Sequence, residues 1–137
     1  FYGAPAIVVD CGTATNIDVI DSEGYYIGGS IAPGIRISMD ALTARASKLA
    51  SVPLESPAHA IGRNTIECVQ SGAVIGAASM AEGLVDRIKN ELGAPDARVI
   101  ATGGLSSVVA QSTDVFDVID NQLTLRGIRE IYRRMTE

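Results

Sequence analysis

Apolar residues cluster along this chain in runs whose spacing changes from two to between three and four. Four consecutive apolar positions, 6–9, stand between Pro5 and the small-residue turn Cys11-Gly12-Thr13-Ala14. They read as a buried strand that ends on a carboxylate, Asp10. A second strand is predicted over 15–21, and Ser22-Glu23-Gly24 turns it into a third over 25–32. The third contains Gly28-Gly29, a pair that marks a bulge or the close approach of another backbone. Pro33-Gly34 ends this three-strand meander. The spacing of Met39, Leu42, Ala46 and Leu49 predicts a helix over 38–49. A Pro-containing loop follows over 51–62. Then comes a long helix over 65–92, with Asn64 or Thr65 as its N-cap, Glu67 in its first turn, and Gly93 and Pro95 ending it. The remainder alternates. A strand is predicted over 98–101, a turn at Thr102-Gly103-Gly104, a helix over 105–110, a strand over 115–119 and a closing amphipathic helix over 123–135. Its Arg126, Arg129, Arg133 and Arg134 read as a solvated face.

Strands in a meander, then helices alternating with strands, predict one α/β domain of the ribonuclease H-like layout, with a mixed sheet flanked by helices. A length of 137 residues, with 47% hydrophobic and 20% charged residues, suits one such domain. A net charge of -5 gives no basic footprint for nucleic acid or an anionic membrane. Aromatics are scarce and Trp is absent, which disfavours base stacking. No apolar run of membrane-spanning length stands out in the sequence, so no membrane partner is expected. Cys11 and Cys68 lie far apart and read as reduced thiols, which predicts a cytoplasmic protein. The chain opens on Phe1 within a few residues of its first buried strand, so further residues are expected upstream.

Three features carry candidate chemistry. The hairpin at Asp10 can hold a phosphate against backbone N–H groups and a cation against its carboxylate. It is also readable as a structural turn in which Asp10 caps itself. Thr102-Gly103-Gly104, after a strand and before a helix, suits an anion or nucleotide, or is a plain tight turn. On the long helix Cys68, Gly72, Gly76, Ser79 and Gly83 fall on one face. Glycine in a helix costs roughly 1 kcal/mol relative to alanine. The stripe therefore calls for close packing, against the chain's own sheet or against another helix. Membrane dimerisation is disfavoured, because Glu82, Asp86 and Arg87 interrupt the helix. The single histidine, His59, has no partnered nucleophile nearby in sequence, and no metal-ligand spacing occurs.

Taken in order, six segments carry a family likeness: Asp10 to Thr15, Gly28 to Gly34, Gly62-Arg63-Asn64-Thr65, Gln70-Ser71-Gly72, Ala101 to Leu105, and Leu123 to Gly127. With them the chain resembles the C-terminal half of type III pantothenate kinase, within the acetate/sugar kinase, Hsp70 and actin superfamily. The resemblance implies an actin-like ATPase fold, and ATP-dependent phosphorylation of pantothenate to 4'-phosphopantothenate, the first step towards coenzyme A. It implies that Asp10 binds a monovalent cation (K+ or NH4+), and that Gly12 and Thr13 belong to a phosphate loop. Thr102, Gly103 and Gly104 would border the adenosine of ATP, Thr65 would contact pantothenate, and Mg2+ would accompany the nucleotide. It also implies a homodimer, which favours the helix-to-helix reading of the glycine stripe. Asn16 stands where relatives often have Thr. The family's first phosphate loop (Asp-x-Gly-Asn-Thr) and its general base (in Gly-x-Asp-Arg) are not in this sequence. The 137 residues alone are therefore expected to be inactive without an N-terminal domain. A sugar or acyl kinase of the same superfamily, and a non-catalytic regulator such as the transcription-factor-like homologues, are the alternatives.

Overall fold

A computed structural model describes residues 1–46 and 51–137. Its five-stranded mixed sheet is built around β1 (Ala6–Cys11), with strand order β3-β2-β1-β4-β5. β2 (Ala14–Ile20) pairs antiparallel with β1 and with β3 (Tyr26–Pro33), as the meander predicts. β4 (Arg98–Thr102) pairs parallel with the other edge of β1, and β5 (Val118–Ile119) parallel with β4.

Because side chains alternate across a strand, register sorts them into two faces. On one face Ile7, Val9, Cys11, Ile17 and Val99 are fully buried under α1 (Ile35–Arg45), the long helix and α4 (Ser106–Ala110). Ile7→Ala here should therefore cost about 2–5 kcal/mol. Asp10 sits on the other face, in register with Asn16 of β2 and Thr102 of β4. At its far end this second face meets residues 1–4 and Leu123, which with Ala6, Val8 and Ile100 line an open hollow of about 400 Å³.

Several elements depart from the sequence pattern. α1 starts three residues earlier than predicted, because Gly34 acts as its N-cap. The Gly34 N–H is held by the Thr13 carbonyl (3.1 Å), and the Ser38 N–H bonds the Gly34 carbonyl (3.0 Å). The predicted end at Leu49 lies outside the described residues. β5 is shorter than 115–119, because the Asp117 side chain takes the Val99 N–H (2.7 Å).

The long helix, Thr65–Leu92, is continuous but not uniform. Between α2 (Thr65–Gln70) and α3 (Gly76–Leu92) lies a π-helical turn, Ser71–Ile75. Gln70 is buried there and donates to the Pro53 carbonyl (3.0 Å), while the Ser71 hydroxyl donates to the Ala60 carbonyl. The Asn64 side chain caps the helix by accepting the Glu67 N–H, and Glu67 reaches back to the Arg63 N–H. By length and composition this helix is apolar enough to cross a membrane, contrary to the sequence reading. Here its Val74, Ala78, Ala81 and Val85 side is seated in the core, as in a core helix. The glycine stripe points the other way. Gly72, Gly76 and Gly83 are exposed, and a Cβ added to any of them would meet no atom within 4 Å beyond the helix's own backbone. Packing of the stripe on the chain's own sheet is thereby excluded.

α5 (Leu123–Thr136) corrects another expectation, because Arg126 is not solvated with its neighbours. Its Nη1 donates to Asp120 Oδ2, to which the Tyr2 hydroxyl also donates (2.7 Å), and its guanidinium lies 4.5 Å from the Phe1 ring centre. The Tyr2 hydroxyl, then the Gln122 N–H and Arg126, hold the Asp120 carboxyl below the usual carboxylate range. A group with a lowered folded-state pKa stabilises the fold above its unfolded value, about 4, and loses that contribution as pH falls through the folded value. Asp120→Asn is therefore expected to lower the thermal midpoint at pH 7 and to flatten its decline below pH 4, in melts recorded from pH 7 to pH 2.5.

Candidate functional site

The end of β1 is where the predicted site residues meet. Only Gly12 and Thr13 separate β1 from β2, and the Gly12 N–H closes the turn on the Ala14 carbonyl (3.1 Å). The turn is braced from outside by Gly34, whose Cα lies so close to the Gly12 and Thr13 carbonyls that a Cβ would overlap both. From the parallel neighbour, the loop after β4 crosses the same corner. The Leu105 N–H is bonded to the Cys11 carbonyl (2.9 Å), and a Cβ on Gly103 would collide with Asp10 Oδ1. The Asp10 carboxylate is thus flanked by two glycine turns, with its Oδ1 also 3.5 Å from where a Gly12 Cβ would stand.

Whether Asp10 caps its own turn can be read from its partners. Asp21 accepts the N–H groups of Glu23 and Tyr25, Asp117 that of Val99, and Asp120 that of Gln122. Asp10 accepts no hydrogen bond among the described residues, although it is half-buried. Its carboxylate takes no part in the turn. Around it, the N–H groups of Thr13, Gly103 and Gly104 donate no backbone hydrogen bond among the described residues. The Gly12 N–H, by contrast, is consumed by its own turn. A carboxylate beside three unspent donors and an exposed threonine hydroxyl can bind a cation and a phosphate side by side. α4 has only five residues, so the donors belong to the loop rather than to a helix dipole of any length.

Thr102 is buried, in register with Asp10 on the same face of the sheet, whereas Gly104 is exposed. Sequence reasoning missed the residues that hold this loop. The fully buried Ser106 hydroxyl donates to the Gly103 carbonyl (2.8 Å) and lies 2.8 Å from the Asn121 side-chain oxygen. A serine three residues after a glycine turn is a recognisable loop tie. Its Asn121 partner comes from a distant segment and left no local signal. Cys11 faces the core side, where burial and then the Asp10 charge push its thiol up to about 11. It stays neutral at pH 7 and is no nucleophile.

Thr65 is not at this corner. It is exposed beside a cleft of about 570 Å³ between α1 and the start of the long helix, lined also by Ser38, Met39, Leu42, Cys68 and Gly72. α1 links the two places, since its N-cap Gly34 braces the Thr13 turn and its next turns line the cleft. His59 is exposed in the loop before the helix. Among the described residues no three His, Cys, Asp or Glu side chains converge as a metal centre.

These features define a class: an α/β domain with a mixed five-stranded sheet flanked by helices, carrying a free carboxylate between two glycine turns. The same fold occurs in the crystal structure of a conserved putative Baf family transcriptional activator from Campylobacter jejuni. It superposes with a TM-score of 0.69 at 22% identity, over 96% of this chain and 59% of that one. Residues 1–87 match the family model for type III pantothenate kinase. The type III pantothenate kinase of Thermomicrobium roseum is 54% identical over 134 residues, 98% of this chain and 51% of that protein. That of Moorella thermoacetica is 48% identical over 135 residues, 98% of this chain and 53% of that protein. The chain belongs to the type III pantothenate kinase family, and it spans about half the length of the curated relatives it matches.

Proposed function

We propose that this chain is the nucleotide-phosphate half, the C-terminal domain, of a kinase that transfers the γ-phosphate of ATP to the hydroxyl of pantothenate. The observation that carries this reading is the Asp10 carboxylate, free of any turn bond and flanked by Gly12 and Gly103. Thr13, Gly103 and Gly104 would donate N–H groups to phosphate oxygens, and the Thr102 to Gly104 loop would border the adenosine. Transfer of a phosphoryl group depends on positioning and on charge placed around the γ-phosphate. Fixed loop donors supply that without rearrangement.

One carboxylate suits an ion that keeps water or carbonyl oxygens for its other ligands. Asp10 would thus hold a K+ or NH4+ ion, and Mg2+ would be carried on the ATP phosphates; such cations supply charge neutralisation beside the phosphates. Thr65, in its separate cleft, would contact pantothenate, which places the acceptor along α1 from the phosphate corner. The strand order, with β2 alone antiparallel to its neighbours, supports the finer ribonuclease H-like and actin-like reading. The uncovered glycine stripe supports a homodimer through the long helix. The two free thiols, Cys11 and Cys68, support a reducing, cytoplasmic setting. Relatives near 50% identity favour pantothenate over a sugar or acyl acceptor.

The family's Gly-x-Asp-Arg base segment does not occur in these 137 residues, so the chain alone is expected to be inactive. ADP release, dependent on both ATP and pantothenate, should be at background for the 137 residues. It should appear when they are joined to the half of the Thermomicrobium roseum relative that lies outside the match. Turnover by the isolated chain, or a joined protein that phosphorylates a different alcohol and ignores pantothenate, overturns the proposal.

A further inference from the structure

The two contacts of the Ser106 hydroxyl cannot both be donations. Its Oγ lies 2.8 Å from the Gly103 carbonyl oxygen and 2.8 Å from the Oδ1 position of Asn121, yet a hydroxyl carries one proton. Whichever oxygen received that proton, the other would face Ser106 at 2.8 Å with no hydrogen between them, a repulsive contact. Ser106 is fully buried, so no water relieves it. The Gly103 carbonyl can only accept. The Asn121 amide can serve at either end, by a half-turn about its last side-chain bond. Both contacts become hydrogen bonds in one arrangement, with the Asn121 N–H turned towards Ser106.

We infer that Asn121 donates to Ser106 and Ser106 donates to the Gly103 carbonyl, a relay that makes Asn121 a positioning residue for nucleotide binding; this rests on the reading of the Thr102 to Gly104 loop as a nucleotide site. The relay sets the direction of one peptide. The Gly103 carbonyl also accepts the Ser106 N–H (3.2 Å), so it is aimed at the start of α4. The Gly103–Gly104 peptide is trans, and a trans peptide points its N–H opposite to its carbonyl. The Gly104 N–H is therefore aimed away from α4, towards the exposed side of the loop. Glycine on either side makes this the easiest peptide of the loop to flip, and the relay holds it one way. Asn121 is exposed, but its backbone is pinned. The Asp120 N–H bonds the Ala101 carbonyl (2.8 Å), the Gln122 N–H bonds Asp120 Oδ1 (3.0 Å), and the Leu123 N–H bonds the Asp120 carbonyl (3.2 Å). The turn after β5 thus holds a fixed donor against the turn after β4.

Asn121→Asp tests the direction of the relay, because a carboxylate keeps the shape but can only accept, and so draws the Ser106 proton away from Gly103. In the joined protein this variant is expected to weaken ADP binding, read by calorimetry, about tenfold and to raise KM for ATP by the same factor. KM for pantothenate should stay within about twofold, a split that general loosening of the domain would not produce. Gln122→Glu adds the same charge one residue on without reaching Ser106, and should leave all three values within about twofold. Asn121→Ala should weaken ADP binding about fivefold. Added to Ser106→Ala it should cost nothing further, because the two residues act in series. If Ser106→Ala does not fold, the Asn121→Asp, Asn121→Ala and Gln122→Glu affinities decide the matter. Parent-like ADP affinity in Asn121→Asp overturns the proposal. So does an equal loss in Gln122→Glu, a rise of both KM values together, or losses that add in the double variant. A joined protein that binds ADP through this relay but leaves pantothenate unphosphorylated would sink the functional reading alone. One that phosphorylates pantothenate while the Asn121 variants keep full ADP affinity would sink the relay alone, and a parent that binds no ADP would sink both.

Discussion

An Asp10→Asn protein, in the joined full-length form, is expected to keep its fold and to lose at least about a hundredfold in kcat/KM. The two halves of that expectation have separate causes. Asparagine has the same shape, and Asp10 accepts no hydrogen bond among the described residues, so nothing in the turn depends on its charge. The thermal midpoint should stay within a few degrees, about the effect of a surface change. Activity is another matter. The carboxylate would be the charged ligand of the cation beside the phosphates, and an amide oxygen is a far weaker one. Raising K+ should recover only part of the loss. Asp21→Asn is the matched control. That side chain caps its own turn through Glu23 and Tyr25, so its loss should lower stability by about 1 kcal/mol and leave turnover alone. Steady-state kinetics and thermal melts on both variants decide it. If Asp10→Asn turns over within threefold of the parent, or unfolds while Asp21→Asn does not, Asp10 is a structural turn residue and the phosphate corner lies elsewhere.

How much of this was visible beforehand depends on whether the cause was local. The β1–β2 hairpin was legible because an unbroken apolar run, a carboxylate and a two-residue small turn leave few other conformations. The N-cap at Asn64 and the stop at Gly93 were legible for the same reason: capping is a matter of residues three and four apart. The π turn at Ser71–Ile75 was not, since it depends on Gln70 and Ser71 reaching carbonyls of the preceding loop. The orientation of two helices was not legible either. Periodicity shows that α5 and the long helix have two kinds of face, but not which face the rest of the chain will cover. For α5 the decision falls to Arg126, drawn inward by Asp120 and by Tyr2, 124 residues away in sequence. For the long helix the valine and alanine side won the sheet and left the glycines outside. At the candidate site, residue types pointed to Asp10, Gly12 and Gly103. What they did not reveal is that Asp10 is free of turn bonds and Gly12 has spent its N–H.

Gly103→Ala is expected to damage fold and site together. Gly103 has φ of +92°, a conformation that costs a residue with a side chain about 1–3 kcal/mol. The added methyl would also stand 2.6 Å from the Cys11 carbonyl oxygen and 2.7 Å from its carbon, and would collide with Asp10 Oδ1. The carbonyl cannot retreat cheaply, because it accepts the Leu105 N–H that ties the loop to β1 (2.9 Å). Ser106 holds the loop's other side from a fully buried position, so the loop cannot swing away either. Two responses remain: the loop detaches, or Asp10 is pushed out of the corner. Either removes Gly103 and Gly104 donors from beside the carboxylate. Stability should fall by about 3 kcal/mol, roughly 10 °C in thermal midpoint for a domain of this size. Nucleotide affinity of the joined protein should fall at least tenfold. Gly104→Ala separates the causes. A Cβ there meets nothing within 4 Å and its φ is not in the left-handed region, so its melt should be shifted by no more than about 0.5 kcal/mol. Equal melts for the two alanine variants would show that the Gly103 loop is not wedged against β1. The contact between the two glycine turns and Asp10, on which the proposed phosphate corner depends, would then be lost with it.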